Sequence, residues 1–260
     1  MPLLRSSMVV AFCLLLLSLA LGARGQTPAA SDIDAIKKEL AAIRAQQAAM
    51  QRDITAIKNL LMSQAGGGKL GPQAPSSVNI AGRPSKGSEQ ASLIMVEFTD
   101  FQCPYCGSYV STIFPSIERD YINSGKIRYI VKNLPLQQIH PNAYQAAVAA
   151  MCAADEGRFW QMHDRLFANQ RQLGADQLEK YADQAGVDRR KFKSCVAGHT
   201  HDTIIREDMD EATQSRIGGT PAFMLATANA DGTTVTPGRI IIGAQPYSTF
   251  KSAIDALLAK

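Results

Sequence analysis

The stretch VEFTDFQCPYCGSY, residues 96–109, decides the reading of this chain. An apolar run ends, two cysteines follow two residues apart, and the pattern turns helical. Cys103 falls where strand gives way to helix, and Pro104 takes the first helical position, where its missing N–H costs nothing. A cysteine there meets unpaired backbone N–H groups and the positive end of the helix dipole. Both favour thiolate over thiol, so Cys103 is expected to be an exposed nucleophile of lowered pKa. Cys106 lies one turn further in, on the same side and more buried, placed to attack a mixed disulfide on Cys103 and release the partner. With fewer residues between them than Pro104 and Tyr105 the ring would be strained; with more, the second sulfur would move round the helix.

Two blander readings compete. A CxxC is half of a zinc site, but no second CxxC exists, and His140, His163, His199 and His201 lack matching ligand spacing. A purely structural disulfide is disfavoured because a tight loop at a helix start is a poor staple and a good redox site. Metal and cofactor are therefore not expected, and nothing resembles a phosphate-cradling loop or a serine triad. The net charge of +4 is too mild to argue for nucleic acid, and no long basic run is present.

Outward from the pair, the organisation changes several times. Residues 1–25 read as a secretory signal peptide, with Arg5 ahead of the apolar run MVVAFCLLLLSLAL (8–21) and small residues behind it. An uncleaved membrane anchor is the rival; the run falls short of the about 20 residues a span needs. Either way the chain is exported, to the periplasm or cell envelope. Cys13 leaves with a cleaved signal, and four of the five cysteines remain in an oxidising compartment.

Residues 26–66 carry a heptad seam, with Ile33, Leu40, Gln47, Ile54 and Leu61 at a positions and Ile36, Ile43, Met50 and Ile57 at d. A stripe this narrow points to self-association rather than packing on its own globule. Isoleucine at d disfavours the two-stranded form, and a trimer is the preferred count. Residues 67–77, rich in glycine and proline, read as a flexible linker.

From residue 78 the pattern is that of a small α/β domain in two stretches, 78–138 and 215–260, with a helical insertion at 139–214 between them. Strands are expected at 92–99, 126–136, 220–226 and 238–244. Helices are expected over 105–125, kinked at Pro115 and stopped at Gly125, and over 246–259. The insertion reads as one helical tract over 141–216, broken near QLGAD. Trp160 looks like core, His140 like a helix entry, and HTHD (199–202) like a solvated face rather than a metal site.

VEFTDFQCPYC, KNLPL, HPNAYQAAVAAMCAADEGRFWQMHDRLF and GGTPAFML together resemble the DsbA-type thiol–disulfide oxidoreductases, over residues 78–260. The resemblance implies a thioredoxin fold with an inserted helical domain, here preceded by a helical, coiled-coil-like oligomerisation stalk. It implies Cys103 as nucleophile, Cys106 as resolving cysteine, Pro221 as a cis-proline facing the pair with Thr220 before it, and Glu97 as a buried acid that helps move the resolving thiol's proton. Read from its own surroundings, Glu97 is equally a satisfied core carboxylate, and Pro221 a trans proline opening a strand.

Direction of the chemistry turns on Tyr105, which offers a hydroxyl where a histidine would stabilise the thiolate further, so the disulfide is expected to be less oxidising. Threonine before the cis-proline and the stalk resemble the isomerase side, and the layout resembles the oligomeric ScsC-type members. The expected partners are secreted clients with thiols or disulfides, a membrane redox partner that recycles the pair, and further copies of the chain. A dithiol oxidase, an envelope copper-binding protein using the reduced CxxC, and a scaffold with a vestigial pair are the alternatives.

Cys152 and Cys195 form the natural second pair, 43 residues apart. As a staple they contribute on the order of 3 to 4 kcal/mol in the chain-entropy model. A second redox pair and two buried free thiols are the rivals.

Overall fold

A computed structural model describes residues 37–41, 43, 44, 47 and 74–259. These fall in two units divided between Gly68 and Lys69. The expected signal peptide, most of the stalk and the start of the linker lie outside the described residues. In the first unit the described residues are helical, with Leu40 and Ile43, an a and a d position, exposed.

The second unit is organised by strand β3 (Leu93–Thr99), whose seven residues are all buried. A strand covered on both faces reads as an unbroken apolar run, which residues 93–98 supply with Glu97 as the exception. Helix α1 (Pro104–Thr112) leads into a short α2 (Phe114–Ile117) and a π-helical turn (Glu118–Ile122), and Gly125 at φ +72° lets the chain turn into β4 (Ile127–Asn133). The helical stretch breaks at Ile113, ahead of Pro115, which cannot continue an interior hydrogen-bond ladder. β4 pairs parallel to β3 in register Glu97↔Val131, and β5 (Ala222–Ala228) pairs antiparallel on the other side with Glu97↔Phe223. β6 (Thr234–Ile242) follows β5, and the chain closes with α8 (Tyr247–Leu258). Two short strands, β1 (Val78–Asn79) and β2 (Ser85–Gly87), pair at the edges and complete the order β1-β6-β5-β3-β4-β2.

The insertion is not a tract with one break. It is five helices: α3 (Ala143–Ala154), α4 (Phe159–Ala168), α5 (Ala175–Gln184), α6 (Arg189–Ala197) and α7 (Asp202–Gln214). Besides the expected break at QLGAD, the chain turns at Gly157 (φ +68°), Gly186 (φ +79°) and His199 (φ +52°). The two glycines adopt that conformation at no steric cost, which stops each helix cleanly.

Period-two alternation sorts the sheet into two faces. Leu93, Met95, Phe223 and Leu225 pack with α1, α8 and helices of the insertion; Ile94, Val96, Phe98, Ala222 and Met224 pack with Ala212 of α7 and with Ile217. Glu97 follows the parity of Leu93 and Met95, so it lies on the face that carries α1 and the cysteines.

On the opposite face α7 is pinned by buried charge. Lys132 Nζ is 3.1 Å from Asp208 Oδ1 and also pairs with Glu211, while Arg83 Nε meets Asp208 at 3.0 Å. Asp208 also accepts from the backbone N–H of Asn133 at 2.9 Å. Such a cluster fixes one docking of the helix more than it adds net stability, because desolvating the ions offsets much of their attraction.

Candidate active site

β3 delivers the chain into the site through Asp100, which is buried. Its Oδ1 accepts from the backbone N–H groups of Gln102 (2.7 Å) and Cys103 (3.2 Å); its Oδ2 accepts from Leu136 N–H (2.9 Å) and meets His140 Nδ1 at 2.8 Å. One carboxylate thus ties the cysteine loop to the segment that leaves β4. His140 belongs to that tie, and the following helix starts three residues later, with Asn142 as its N-cap.

Cys103 is the N-cap of α1, in extended conformation (φ −70°, ψ 122°), and Pro104 is N1. The amide of Gln170, from the α4–α5 loop, donates to the carbonyls of Cys103 (2.7 Å) and Phe101 (3.0 Å). Thr220–Pro221 is a cis peptide, and the Thr220 carbonyl lies 3.4 Å from Cys103 Sγ. Pro221 is buried and opens onto β5. The loop that brings it there also covers Cys103, so the expectation of an exposed residue needs correction: Cys103 is only 3% exposed. Tyr105 is the exposed member of the motif, at 69%.

Both active-pair cysteines are free thiols. The Cys103 pKa is lowered from 9.0 to about 5. The hydrogen bond from Cys106 contributes most; burial opposes it; Thr220 and the backbone N–H groups of Cys106 and Tyr105 add to it. The Thr220 hydroxyl is buried and otherwise unpartnered, which leaves it free to donate to a thiolate. Cys106 moves the other way, first by burial, then through its bond to Cys103 and the charge of Glu97. Burial also raises Glu97, whose Oε2 accepts from the Tyr129 hydroxyl at 2.6 Å while Oε1 is buried without a partner. The hydroxyls of Tyr129 and Tyr109 are hydrogen-bonded in turn at 3.1 Å. The arrangement is a dithiol whose two protons are held very differently, with an underbonded carboxyl behind the buried one.

Elsewhere, Cys152 and Cys195 are joined in a disulfide that links α3 to α6. HTHD does not form a solvated face throughout. His199 is exposed and 3.4 Å from Asp202, but His201 is mostly buried, with Nε2 2.9 Å from Asp155 Oδ2. Trp160 sits at the core edge, stacked on Phe114, its indole N–H donating to Ser85 and the Lys86 ammonium 4.5 Å over its ring. Asp100, Gln170, Tyr109 and Tyr129 do not stand out from the sequence as site residues. Asp100 had a local signal, an acid three residues before an N-cap; Gln170 had none.

A strand, an N-capping cysteine, a CxxC helix and a cis-proline across from it define the thioredoxin class. Residues 81–256 match the family model described as Thioredoxin, and the chain belongs to that family. Within it, the fold is DsbA-like: oxidised BdbD of Bacillus subtilis superposes with a TM-score of 0.63 at 23% identity, over 73% of this chain and 99% of that one. The catalytic domain of Proteus mirabilis ScsC superposes with a TM-score of 0.55 at 23% identity, over 69% and 91%. By sequence the chain is 36% identical over 140 residues to the Na(+)/H(+) antiporter NhaA 3 of Salinispora tropica, 54% of this chain and 21% of that protein. It thus spans about a fifth of the length of the curated relatives it matches.

Proposed function

We propose that the chain is an exported thiol–disulfide oxidoreductase that works as a homo-oligomeric isomerase or reductase on protein disulfides. The observation that carries the thiol–disulfide exchange in this reading is the placement of Cys103 as N-cap of α1, its Sγ 3.4 Å from the Thr220 carbonyl and its thiol drawn down to about 5. At neutral pH Cys103 is the thiolate. It attacks one sulfur of a client disulfide, forms a Cys103–client bond, and expels the other client sulfur, which takes a proton from solvent. The Thr220 backbone is the edge against which an extended client segment lies as an added strand. Two outcomes follow. The expelled client thiolate, or another from the same client, attacks the mixed disulfide and re-pairs the client. Otherwise Cys106 passes its proton toward Glu97 and attacks Cys103 Sγ, releasing a reduced client and leaving a Cys103–Cys106 disulfide for a membrane partner to reduce.

Isomerisation rather than oxidation is favoured by the spacer. Tyr105 points its ring to solvent and supports Cys103 only through its backbone N–H, so no side-chain charge stabilises the thiolate further. Assembly is favoured by Leu40 and Ile43, apolar seam residues left 46% and 60% exposed on the single chain. Among the described residues no helix is long and apolar enough to cross a membrane.

Refolding of a scrambled-disulfide substrate tests this, with native mass measured with and without residues 26–66. The full chain is expected to be an oligomer that restores substrate activity; the shortened chain is expected to be monomeric and to introduce disulfides instead. An unchanged mass removes the assembly reading. A Cys103–Cys106 pair found mostly oxidised in extracts of its native compartment replaces isomerase by oxidase.

A further inference from the structure

The surroundings of the second disulfide are more than a staple needs. Cys152 lies in the last turn of α3, Asp155 is its C-cap, Cys195 lies in the last turn of α6, and His201 is the N-cap of α7. Both sulfurs and one ring nitrogen of His201 lie within 4.8 Å of one another. Asp155 Oδ2 closes the group, 2.9 Å from His201 Nε2 and 3.6 Å from Cys195 Sγ.

Two features of this group are poorly explained by a permanent disulfide. A sulfur in a disulfide has no proton, so Asp155 Oδ2, hydrogen-bonded to His201 Nε2, gains no hydrogen bond from Cys195 Sγ 3.6 Å away. Asp155 also places negative charge at the C-terminal end of α3, with the C-terminal turn of α6 close by, where dipole ends favour cations. Breaking the disulfide would add up to two thiolates to the same spot. A cation answers both features and the added thiolate charge.

We propose that reduction of Cys152–Cys195 opens a zinc(II) site formed by Cys152, Cys195, His201 and Asp155. Two thiolates, one imidazole and one carboxylate are a donor set zinc accepts in tetrahedral geometry. The step balances: a dithiol reductant is oxidised to its disulfide, Cys152 and Cys195 become two thiols, and zinc binding releases their two protons to solvent. Cys152 is buried, Cys195 is partly buried, His201 is mostly buried and the Asp155 side chain is 49% exposed, so the metal enters from the Asp155 side. The bond and the metal exclude one another, which makes the insertion a redox-gated zinc binder. This site is independent of the Cys103–Cys106 chemistry.

The test uses the full chain with Cys103→Ser and Cys106→Ser, so that the CxxC cannot hold metal. The protein is reduced with a phosphine, desalted without oxygen, and titrated with zinc chloride against a chromogenic chelator. About one zinc per chain is expected after reduction and none before it. His201→Ala is expected to weaken binding by about tenfold or more, and cobalt(II) in place of zinc should give the visible bands of a tetrahedral thiolate site. No uptake by a reduced chain with both thiols titratable overturns the proposal, as does uptake indifferent to His201→Ala. Should reduction unfold the insertion, zinc must restore its helical circular dichroism; failure to do so also overturns it.

Discussion

The molecule holds two cysteine pairs in contrasting settings. Cys103 and Cys106 sit on one helix turn, at its N-terminal end, where the hydrogen bond from Cys106 first, then the Thr220 hydroxyl and backbone N–H groups, draw one thiol down to about 5 against the opposing effect of burial. Cys152 and Cys195 bridge two helices near their C-terminal ends, beside a carboxylate. The first environment stabilises an anion, as a nucleophile requires; the second penalises an anion and favours the bonded sulfurs. The contrast rests on what each sulfur meets: a second thiol, a hydroxyl and backbone N–H groups in one pair, a carboxylate in the other.

That contrast breaks first at the nucleophile. Cys103→Ser is expected to lower exchange with a disulfide substrate by at least ~10³-fold, by analogy with other nucleophile deletions. Cys106→Ser should instead trap the mixed disulfide, visible as a client-sized shift on a non-reducing gel. If Cys103→Ser retains activity, the sulfur is not the reagent.

Replacing Cys152 and Cys195 together by Ala should do the opposite. A loss of about 3 to 4 kcal/mol in denaturant unfolding is expected, with the alkylation rate of Cys103 little changed. A large change in that rate would mean that the pairs communicate.

Asp100→Ala lies between the two in kind. It orphans the N–H groups of Gln102 and Leu136 and leaves Cys103 N–H only the Asp100 backbone carbonyl at 3.1 Å, and about 2 kcal/mol of stability is expected to go. The Cys103 pKa should rise as the cap of α1 loosens, which an alkylation pH profile reads directly.

The smallest effect, and the one that sharpens the contrast most, is pH. Alkylation of Cys103 in the native dithiol should be half-maximal at about pH 5, not near 9.0. Because the folded thiol titrates below its ordinary value, it adds stability to the dithiol form that is full above pH 9.0, declines as pH falls, and is gone below about 5. The raised Cys106 acts with the other sign and only above about 9, so it does not cancel this window. Glu97→Gln removes a charge that holds Cys106 up, and the second thiol should then titrate lower.

Much of the site was legible because its signals are local. A strand, an N-capping cysteine and Pro104 lie within a dozen residues, and alternation along β3 alone sets Glu97 on the α1 face. What was missed depends on distant partners. Gln170 reaches Cys103 across 67 residues, and Tyr129 reaches Glu97 across 32. β1 and β2, two and three residues long, are too short to carry a period. The extra breaks in the insertion rest on single positive-φ positions, and the cover over Cys103 comes from a loop 117 residues downstream. Even the cis bond at Pro221 needed a family resemblance to be expected, since X-Pro alone does not specify it.

The grip of Gln170 on the Phe101 and Cys103 carbonyls ties the helical insertion to the turn that carries Cys103. Gly107 leaves the room its amide occupies; a methyl group there would collide with the Gln170 amide and push it off both oxygens. The backbone under Cys103 is thus held by a side chain of the insertion, and a bulkier residue at 107 would disturb it without touching either sulfur.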